Sequence, residues 1–455
     1  MTAKKAQLTF CSGAGEVTGS NFLFEAEGTK ILIDCGLIQT RKTSDDRNFE
    51  PFIYDPKEID ALFVTHAHLD HVGRIPRLVE AGYTGPIYST VPTKSIAELM
   101  LVDSLGVLSK EAKRENLPLI YTEEGVARSM KQWRTFGYHE PMAIGPFSVV
   151  LRDSGHILGS AMVEITYNGK KIVFTGDLGN SPAPLLNDTE KVTDADYLVM
   201  ESVYGDRNHE PHEEKIRKTE EAIEDTIKSG GALLIPAFSL ERTQDLLFEI
   251  NNLVEKGRIP PVPIFLDSPL AINVTKIYKE SESFFNKETR HQIKNGDDIF
   301  NFRGLKMTPT TEESKNIHLT PNPKVIMAGS GMSNGGRIVH HERMYLPDPK
   351  STLLLVGYQA AGTPGRMLQE GVKTVHLLGT DVTVNARVVN IFGYSSHKDA
   401  DHLFAFAEDS AEKVKKIFVV LGEPKASLFL AQRLRDYLGV DTSVPERGDV
   451  VSLEF

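Results

Sequence analysis

Cysteine, tryptophan and long apolar runs are scarce in this sequence. Its 455 residues include two cysteines, Cys11 and Cys35, and one tryptophan. Two cysteines cannot build a disulfide framework or a cysteine-rich zinc module, so a small secreted scaffold is excluded and a reducing compartment is expected. No apolar run approaches the ~18 residues of a membrane span, and the first residues lack the apolar segment of a signal peptide. We therefore expect a soluble, cytoplasmic protein that does not enter a membrane.

An excess of positive charge is also absent. Lys and Arg number 51 and Asp and Glu 62, which gives a formal net charge of −11. Because nucleic acids are bound without sequence preference mainly through Lys and Arg at phosphates, no broad basic surface is expected. The acidic excess is uneven, however, and residues 301–380 carry more basic than acidic side chains. This composition is compatible with a confined basic channel wide enough for one strand.

The apolar and charged fractions, 40% and 25%, are those of a globular protein, and the length predicts two to three domains. Turn signals at Glu27-Gly28 and Asn168-Gly169 predict β-hairpins in the first part of the chain. From about residue 206, charged helices such as 213–229 alternate with apolar strands such as 232–235. This alternation predicts a parallel sheet covered by helices.

The strongest chemical signal is a run of His and Asp directly after an apolar strand predicted over 61–65. It reads His66-Ala-His68-Leu-Asp70-His71. Residues two apart in an extended segment face the same side, so His66 and His68 can reach one metal ion. The turn into the next helix directs Asp70 and His71 toward a second ion. Imidazole and carboxylate ligands suit Zn²⁺, so a zinc site is predicted here.

Three more polar residues end predicted strands close to a glycine. They are His156 in the segment 153–160, Asp177 in the segment 174–179, and Asp34 after the strand 31–33. Strand ends flanked by glycine let a side chain project into a shared cleft. Each residue alone has an ordinary interpretation as a turn residue. Together they supply a bridging carboxylate and groups that orient the metal ligands.

The His-x-His-x-Asp-His run resembles the signature of the metallo-β-lactamase superfamily. That resemblance implies that one zinc ion is held by His66, His68 and His156, that a second is held by Asp70 and His71, and that Asp177 bridges both. Asp34 matches the structural aspartate of the family, which orients ligands without binding metal. The implied fold is a four-layer αββα sandwich, and the implied chemistry is hydrolysis by a metal-activated hydroxide.

Two segments further along resemble the β-CASP branch, the nucleic-acid-processing members of the superfamily. The segment Glu201-Ser-Val-Tyr-Gly-Asp206 resembles its first special motif, and Phe392-Gly-Tyr-Ser-Ser-His397-Lys-Asp399 resembles its second. Phosphodiester cleavage needs a general acid, which His can supply near neutral pH. The resemblance gives that role to His397, with Glu201 as its orienting carboxylate and Asp70 also at the catalytic centre.

The resemblance extends to the region between these motifs. Gly329–His341 and Gly357–Arg366 are similar to segments in the prokaryotic relatives of the endonuclease subunit of the cleavage-and-polyadenylation specificity factor. We expect residues 1–205 and 382–455 to build the sandwich and residues 206–381 to form an inserted parallel-sheet domain. A homodimer is implied by the resemblance alone.

A glycine-rich loop in the insertion is a candidate phosphate site, because bare N–H groups and a cation attract anions. An ordinary strand-to-helix turn is the alternative. The residues expected to contact phosphate or RNA are Ser330, Gly331, Gly335, Gly336, Arg337 and Ser396.

The third special motif departs from the family. RNA-cleaving members typically have Val-His-Gly-Glu, whereas this chain has Val420-Leu421-Gly-Glu423. Leucine cannot ligate a metal, so we expect one firmly held zinc ion and a weakened second site. The leading hypothesis is a zinc-dependent ribonuclease acting on single-stranded RNA. DNA-acting relatives also carry an apolar residue here, so a DNA nuclease is one alternative, and a catalytically weak RNA-binding paralogue is another. Endonuclease and 5′-exonuclease action are both left open.

Overall fold

The computed structural model describes residues 4–39 and 45–455 and divides into two compact units. The first, here called the sandwich unit, comprises the chain up to Asn208 together with His397–Phe455. The second, the inserted unit, is His209–Ser396. No helix within the described ranges is long and apolar enough to cross a bilayer.

The sandwich unit contains two seven-stranded sheets. The first is formed by β1 (Lys5–Ser12), β2 (Asn21–Ala26), β3 (Thr29–Ile33), β4 (Ala61–Phe63), β5 (Ile87–Ser89), β6 (Trp133–Thr135) and, beside β1, β22 (Val450–Glu454). The second is formed, in spatial order, by β21 (Thr442–Ser443), β20 (Lys416–Val420), β11 (Tyr197–Glu201), β10 (Lys170–Phe174), β9 (Ala161–Tyr167), β8 (Phe147–Asp153) and β7 (Met142–Ile144).

Both predicted hairpins are present, as β2–β3 and β9–β10. Their turn residues have positive φ, 51° and 80° at Glu27 and Gly28 and 49° and 76° at Asn168 and Gly169. Such angles suit the twist of two-residue hairpins, which explains the Gly at the second position.

A single apolar cluster fills the space between the two sheets. It includes Phe10 and Phe24 from the first sheet and Phe174 and Phe418 from the second, all fully buried. Helices accompany both sheets, namely α1 (Leu69–Val72), α2 (Ile75–Glu80), α3 (Val91–Glu115), α4 (Glu123–Gln132), α12 (Ala400–Glu408) and α13 (Pro424–Leu438). The second sheet buries its other face against α12 and α13 through residues such as Leu403. The expected αββα architecture is therefore confirmed.

The inserted unit has one parallel six-stranded sheet and a small hairpin. Its strands, in spatial order, are β14 (Leu305–Met307), β13 (Ile264–Leu266), β15 (Lys324–Ala328), β12 (Ala232–Pro236), β16 (Thr352–Val356) and β19 (Arg387–Ile391). The hairpin is β17 (Thr374–Leu377) with β18 (Thr380–Thr383). The helices are α5 (His212–Ser229), α6 (Arg242–Glu255), α7 (Pro269–Lys279), α8 (Lys287–Lys294), α9 (Thr311–Asn316), α10 (Ile338–Tyr345) and α11 (Pro364–Gln369). The predicted parallel sheet is thus present.

The second domain boundary differs from the expected one. The predicted insertion ended at residue 381, but β19 pairs in parallel with β16 inside the inserted sheet. The compact inserted unit consequently continues to Ser396, directly before His397. The sequence of β19, Arg387-Val-Val-Asn-Ile391, does not indicate which sheet it joins, because pairing depends on a partner distant in sequence.

Candidate active site

The candidate ligands lie where strands of both sheets end. His66 follows β4 and is fully buried, and His71 is buried in α1. His156 follows β8, and Asp177 follows β10 after Gly176. A Cβ at Gly176 would lie 2.7 Å from the side chain of Thr65, so glycine is required for these two strand ends to approach each other.

Four of the predicted ligands form one compact cluster. One ligand atom from each of His66, His68, His156 and Asp177 lies within 4.8 Å of the others. Asp177 Oδ2 lies 3.4 Å from His66 Nε2 and 3.5 Å from His156 Nε2. His68 Nδ1 lies 3.1 Å and 3.3 Å from the same two nitrogens. Three imidazoles and one carboxylate at this spacing can hold a divalent metal ion.

The other oxygen of Asp177 faces the second predicted ligand pair. His71 Nε2 lies 3.3 Å from Asp177 Oδ1 and 4.0 Å from Asp70 Oδ2. This nitrogen is buried and has no hydrogen-bond partner among the described residues. A buried imidazole nitrogen that faces two carboxylates without a hydrogen bond fits a metal ligand, so the donor set is suited to a second ion.

Asp34 lies behind the second ligand pair and forms a hydrogen bond with one of its members, His71. Its Oδ2 accepts hydrogen bonds from His71 Nδ1 at 2.7 Å and from the Ser20 hydroxyl at 2.9 Å. Its Oδ1 accepts the backbone N–H of Thr65 at 2.8 Å. The bond to His71 Nδ1 leaves Nε2 as the ligating nitrogen. Sequence reasoning missed Ser20 and Thr65, although the position of Thr65 directly before His66 was a usable signal.

Two of the imidazoles are held in the neutral form that binds metal. Burial and then the neighbouring His66 lower the pKa of His68 well below its usual value, and burial and then His397 do the same for His156. A metal ion binds only the deprotonated ring nitrogen. These ligands therefore need to release no proton when an ion binds at neutral pH.

His397 lies beside the cluster with an opposite protonation preference. A bridge pairs it with Gly179, and its Nδ1 lies 3.2 Å from Glu201 Oε1 and 3.9 Å from Asp177 Oδ2. Glu201 is buried at the end of β11, where the backbone N–H of Leu178 also donates to Oε1. Burial lowers the pKa of His397, but the charge and hydrogen bond of Glu201, helped by Asp177 and Asp70, outweigh this and raise it to about 9.

Leu421 occupies the third-motif position with its side chain in the core. It is 1% exposed and belongs to the apolar cluster between the sheets. Its Cδ2 would lie 2.9 Å from a Cβ at Gly13, and its N–H donates to the Gly13 carbonyl. Gly13 also lies next to Ser20, which bonds Asp34. Position 421 thus lies close to residues that contact Asp34 behind the second ligand pair, and an apolar side chain fills it.

The predicted phosphate loop lies in the inserted unit, and its cation is already engaged. Arg337 donates from Nη1 to the buried Asp267 at 2.7 Å and to the Thr308 carbonyl at 2.6 Å. Its Nη2 donates to the Pro309 carbonyl at 3.0 Å. An internal carboxylate thus engages Arg337, and its contact with a phosphate stays a prediction. That carboxylate lies seventy residues earlier in the sequence and was not recognised.

The glycine-rich part of the loop is folded onto itself. The N–H of Ser330 donates to the Gly335 carbonyl, and a Cβ at Gly336 would lie 2.2 Å from the Gly329 carbonyl. A Cβ at Gly331 would lie 2.6 Å from the ring of Phe238. These contacts account for Gly331 and Gly336 by close packing, whereas a Cβ at Gly335 would meet nothing within 4 Å. Ser396, the remaining predicted phosphate contact, is the last residue of the inserted unit.

Three family models match consecutive parts of the chain. The metallo-beta-lactamase superfamily matches residues 14–237, the Beta-Casp domain residues 243–368, and the Zn-dependent metallo-hydrolase RNA specificity domain residues 381–445. A solved structure of a protein of unknown function from Enterococcus faecalis V583 covers 99% of this chain and 100% of its own, with a TM-score of 0.56 and 15% identity. This similarity concerns the fold.

Curated relatives match nearly the whole sequence. Ribonuclease TTHA0252 of Thermus thermophilus is 37% identical, over 92% of this chain and 94% of its own length. An RNase J-like protein of Methanocaldococcus jannaschii is 32% identical, over 98% and 99%. The transcription termination factor FttA of Methanosarcina mazei is 32% identical, over 96% and 70%. With such identity along its whole length, the chain belongs to the β-CASP branch of the metallo-β-lactamase superfamily.

Proposed function

We propose that this protein is a zinc-dependent ribonuclease that hydrolyses phosphodiester bonds of single-stranded RNA. One observation carries the proposal: two sets of buried metal-type ligands share Asp177, and an ion-paired His397 lies beside them. The names of two relatives, a ribonuclease and an RNase J-like protein, support RNA as the substrate. The family model for an RNA specificity domain over residues 381–445 supports it further.

The proposed metal ligands form two sets, one for each zinc ion. His66, His68, His156 and Asp177 would hold one zinc ion, and Asp70 and His71, with the second oxygen of Asp177, would hold the other. Bound zinc supplies a nucleophile at neutral pH and charge stabilisation at the phosphate. Asp34 fixes the ring of His71 through its 2.7 Å hydrogen bond.

His397 is assigned the role of general acid. Glu201 accepts a hydrogen bond from Nδ1, which leaves Nε2 as the nitrogen that hands a proton to the leaving oxygen. The raised pKa keeps the ring protonated at neutral pH, which is the form an acid must have. Glu201 itself is held in place by the N–H groups of Leu178 and Val203.

The first test compares cleavage of an RNA and a DNA strand of one sequence, each labelled at the 5′ end, with zinc present. We expect RNA cleavage that depends on the metal cluster, so His68→Ala should abolish it. His291→Ala is the matched control because this exposed histidine lies on α8, in the inserted unit. Intact RNA with parent and variant alike would refute the proposal, and so would equal cleavage by His68→Ala and the parent.

A DNA nuclease is the second candidate, and Leu421 favours it. The same digestion decides between them, because a DNA enzyme would degrade the deoxy strand faster. Leu421→His tests the cause: if the missing ligand limits RNA cleavage, this variant binds more zinc and cleaves RNA faster. Unchanged zinc content with a restored imidazole would show that position 421 does not weaken the second site.

A binding protein with weak catalysis is the third candidate. The same missing ligand favours it, and several relatives are named transcription termination factors. Elemental analysis of the purified protein counts the metal ions per chain. Two zinc ions per chain support the hydrolase, whereas none in a folded protein supports binding alone. The buried Glu201–His397 pair weighs against this candidate, since a protein that only binds RNA has no use for it.

A further inference from the structure

An aromatic side chain lies next to the candidate general acid within the sandwich unit. The ring centroid of Tyr204 is 6.1 Å from that of His397, at an angle of 44°. A bridge between Tyr204 and Asp399 ties the two segments together. Tyr204 is partly exposed and plays no part in the proposed metal site.

One exposed cation, Arg207, lies over this ring, and the carboxylate that pairs with it also pairs with a second cation, Lys425. Asp206 Oδ1 accepts from Arg207 Nε at 2.8 Å, and Asp206 Oδ2 lies 3.4 Å from Lys425 Nζ. The Asp206 side chain is only 9% exposed, whereas those of Arg207 and Lys425 are 51% and 87% exposed. The Arg207 guanidinium also lies 5.8 Å from the ring centroid of Tyr204. Asp206, Arg207 and Lys425 together therefore carry one net positive charge, and Arg207 brings part of it to the aromatic ring beside His397.

The backbone that carries these groups is firmly fixed. A Cβ at Gly205 would lie 2.8 Å from the Ala426 carbonyl in the first turn of α13, so the loop packs directly on that helix. The Ser202 hydroxyl donates to the Val420 carbonyl, and the Ala400 N–H donates to the Arg207 carbonyl at 3.0 Å. Exposed charged groups on a rigid loop are a feature of binding sites rather than of folding.

We propose that Tyr204, Arg207 and Lys425 form a nucleotide subsite that holds single-stranded RNA on the leaving-group side of the cleaved phosphate. The inference rests on the proposed function, because the side is defined by His397, which protonates the leaving oxygen. Tyr204 stacks on the base next to that oxygen, and the two cations bind the following phosphates. Stacking plus cations is the combination by which proteins hold single strands without reading their sequence.

The first part of the test, the cation arm, removes the two cations from the zinc-loaded full chain and measures the hydrolysis of two substrates. Arg207→Ala/Lys425→Ala should lower kcat/KM for an RNA oligonucleotide about tenfold, mainly through KM. The dependence of log(kcat/KM) on log salt concentration should become shallower by roughly 1.4, because each contact with a single-strand phosphate contributes about 0.7. Hydrolysis of bis(p-nitrophenyl) phosphate should stay within about twofold of the parent, since that ester has no further phosphate to bind.

The aromatic arm uses Tyr204→Leu and Tyr204→Phe. Loss of the ring should lower kcat/KM on RNA about tenfold, while Phe, which retains the stacking face, should stay within about twofold of the parent. Lys191→Ala/Lys228→Ala is the control for the cation arm, because it removes two exposed charges that pair with other carboxylates, Asp409 and Glu224, and should leave kcat/KM unchanged.

The two hypotheses fail in different ways. RNA cleavage equal to that of the parent in both arms overturns the subsite while the proposed function stands. An equal fall on RNA and on the small ester also overturns it, because the substitutions then act on the catalytic centre. A parent that hydrolyses neither substrate overturns the proposed function, and the subsite with it.

Discussion

Asp177 is the residue on which the two ligand sets depend, because its oxygens face different histidines. Oδ2 lies 3.4 Å from His66 Nε2, while Oδ1 lies 3.3 Å from His71 Nε2. The charges of His71 and His66 overcome the effect of burial and hold the pKa of Asp177 well below its usual value. A permanently ionised carboxylate is the form required to bridge two cations.

A substitution at Asp34 tests whether this residue orients the metal ligand His71. Asp34→Asn removes the negative charge and leaves one acceptor oxygen where His71 Nδ1 and the Thr65 N–H now use two, so it should weaken zinc affinity by about 10- to 100-fold. Competition with a chromophoric chelator measures this affinity directly. Asp381→Asn, at an exposed carboxylate of the β17–β18 hairpin, is the control and should leave affinity unchanged. Equal affinity of Asp34→Asn and the parent would contradict an orienting role.

Glu201 sets the protonation of His397, which gives a prediction about pH. Glu201→Gln removes the charge that raises the pKa of His397 to about 9, so the ring should lose its proton at a lower pH. Because the acid acts in its protonated form, the alkaline limb of the kcat/KM profile should shift to lower pH. The rate at neutral pH should fall in proportion to the protonated fraction of His397, and by no more than the roughly 10² to 10⁴ that a general acid contributes. An alkaline limb that stays in place would show that His397 is not the titrating acid.

At the scale of elements, α10 contains an acid, Glu342, whose uncharged form is favoured by burial. Burial raises the pKa of Glu342 to about 7, and the hydrogen bond from Ser333 only partly opposes this. The unfolded chain has the ordinary value of 4.5, so the folded state favours the protonated acid. Stability contributed at Glu342 is complete at low pH and is lost as pH rises from 4.5 through 7, by about 3 kcal/mol at 1.36 kcal/mol per pKa unit.

Glu342→Gln should therefore stabilise the protein at pH 8 and change little at pH 4.5. Urea midpoints followed by far-ultraviolet circular dichroism at the two pH values measure this difference. The exposed Glu312→Gln is the control, since it removes the same charge from the surface of the same unit. A gain that is equal at both pH values would show that ionisation of Glu342 is not its cause.

Elements whose apolar periodicity matches the burial of their residues were predictable from the sequence, whereas helix α3 was not. The helix predicted over 213–229 is α5, found at His212–Ser229, and both hairpins follow from their turns. In α3, Leu101 and Leu108 are buried, but Val102 and Val107 are exposed, so no clean apolar stripe marks the helix. The Arg337–Asp267 ion pair was equally hidden, because its partners meet only when two strand ends of the folded sheet come together.

At the scale of the whole molecule, less positive charge is available to RNA than the sequence suggests. The basic excess within 301–380 predicted a positive channel, yet Lys324 is buried and donates to the Ile317 and Thr320 carbonyls, and Arg337 is paired with Asp267. Arg366 is paired with Glu370. Local excess of Lys and Arg thus overstates the charge available to RNA, since some of these groups stabilise the fold instead.

The division into two units predicts that metal removal affects the sandwich unit and leaves the inserted unit unchanged. The ligands come from separate strand ends of the sandwich unit, so a bound ion ties together segments that are distant in sequence. Binding to the folded state alone adds about 4 kcal/mol of stability at a thousandfold excess over Kd. Chelation should therefore speed amide hydrogen exchange at residues 64–71, 155–157 and 174–177, while β12 and β15 of the inserted unit keep their rates. His68→Ala with zinc present should resemble the chelated parent. Faster exchange throughout both units would mean that the metal supports the whole chain, and unchanged rates would mean that the cluster holds no ion.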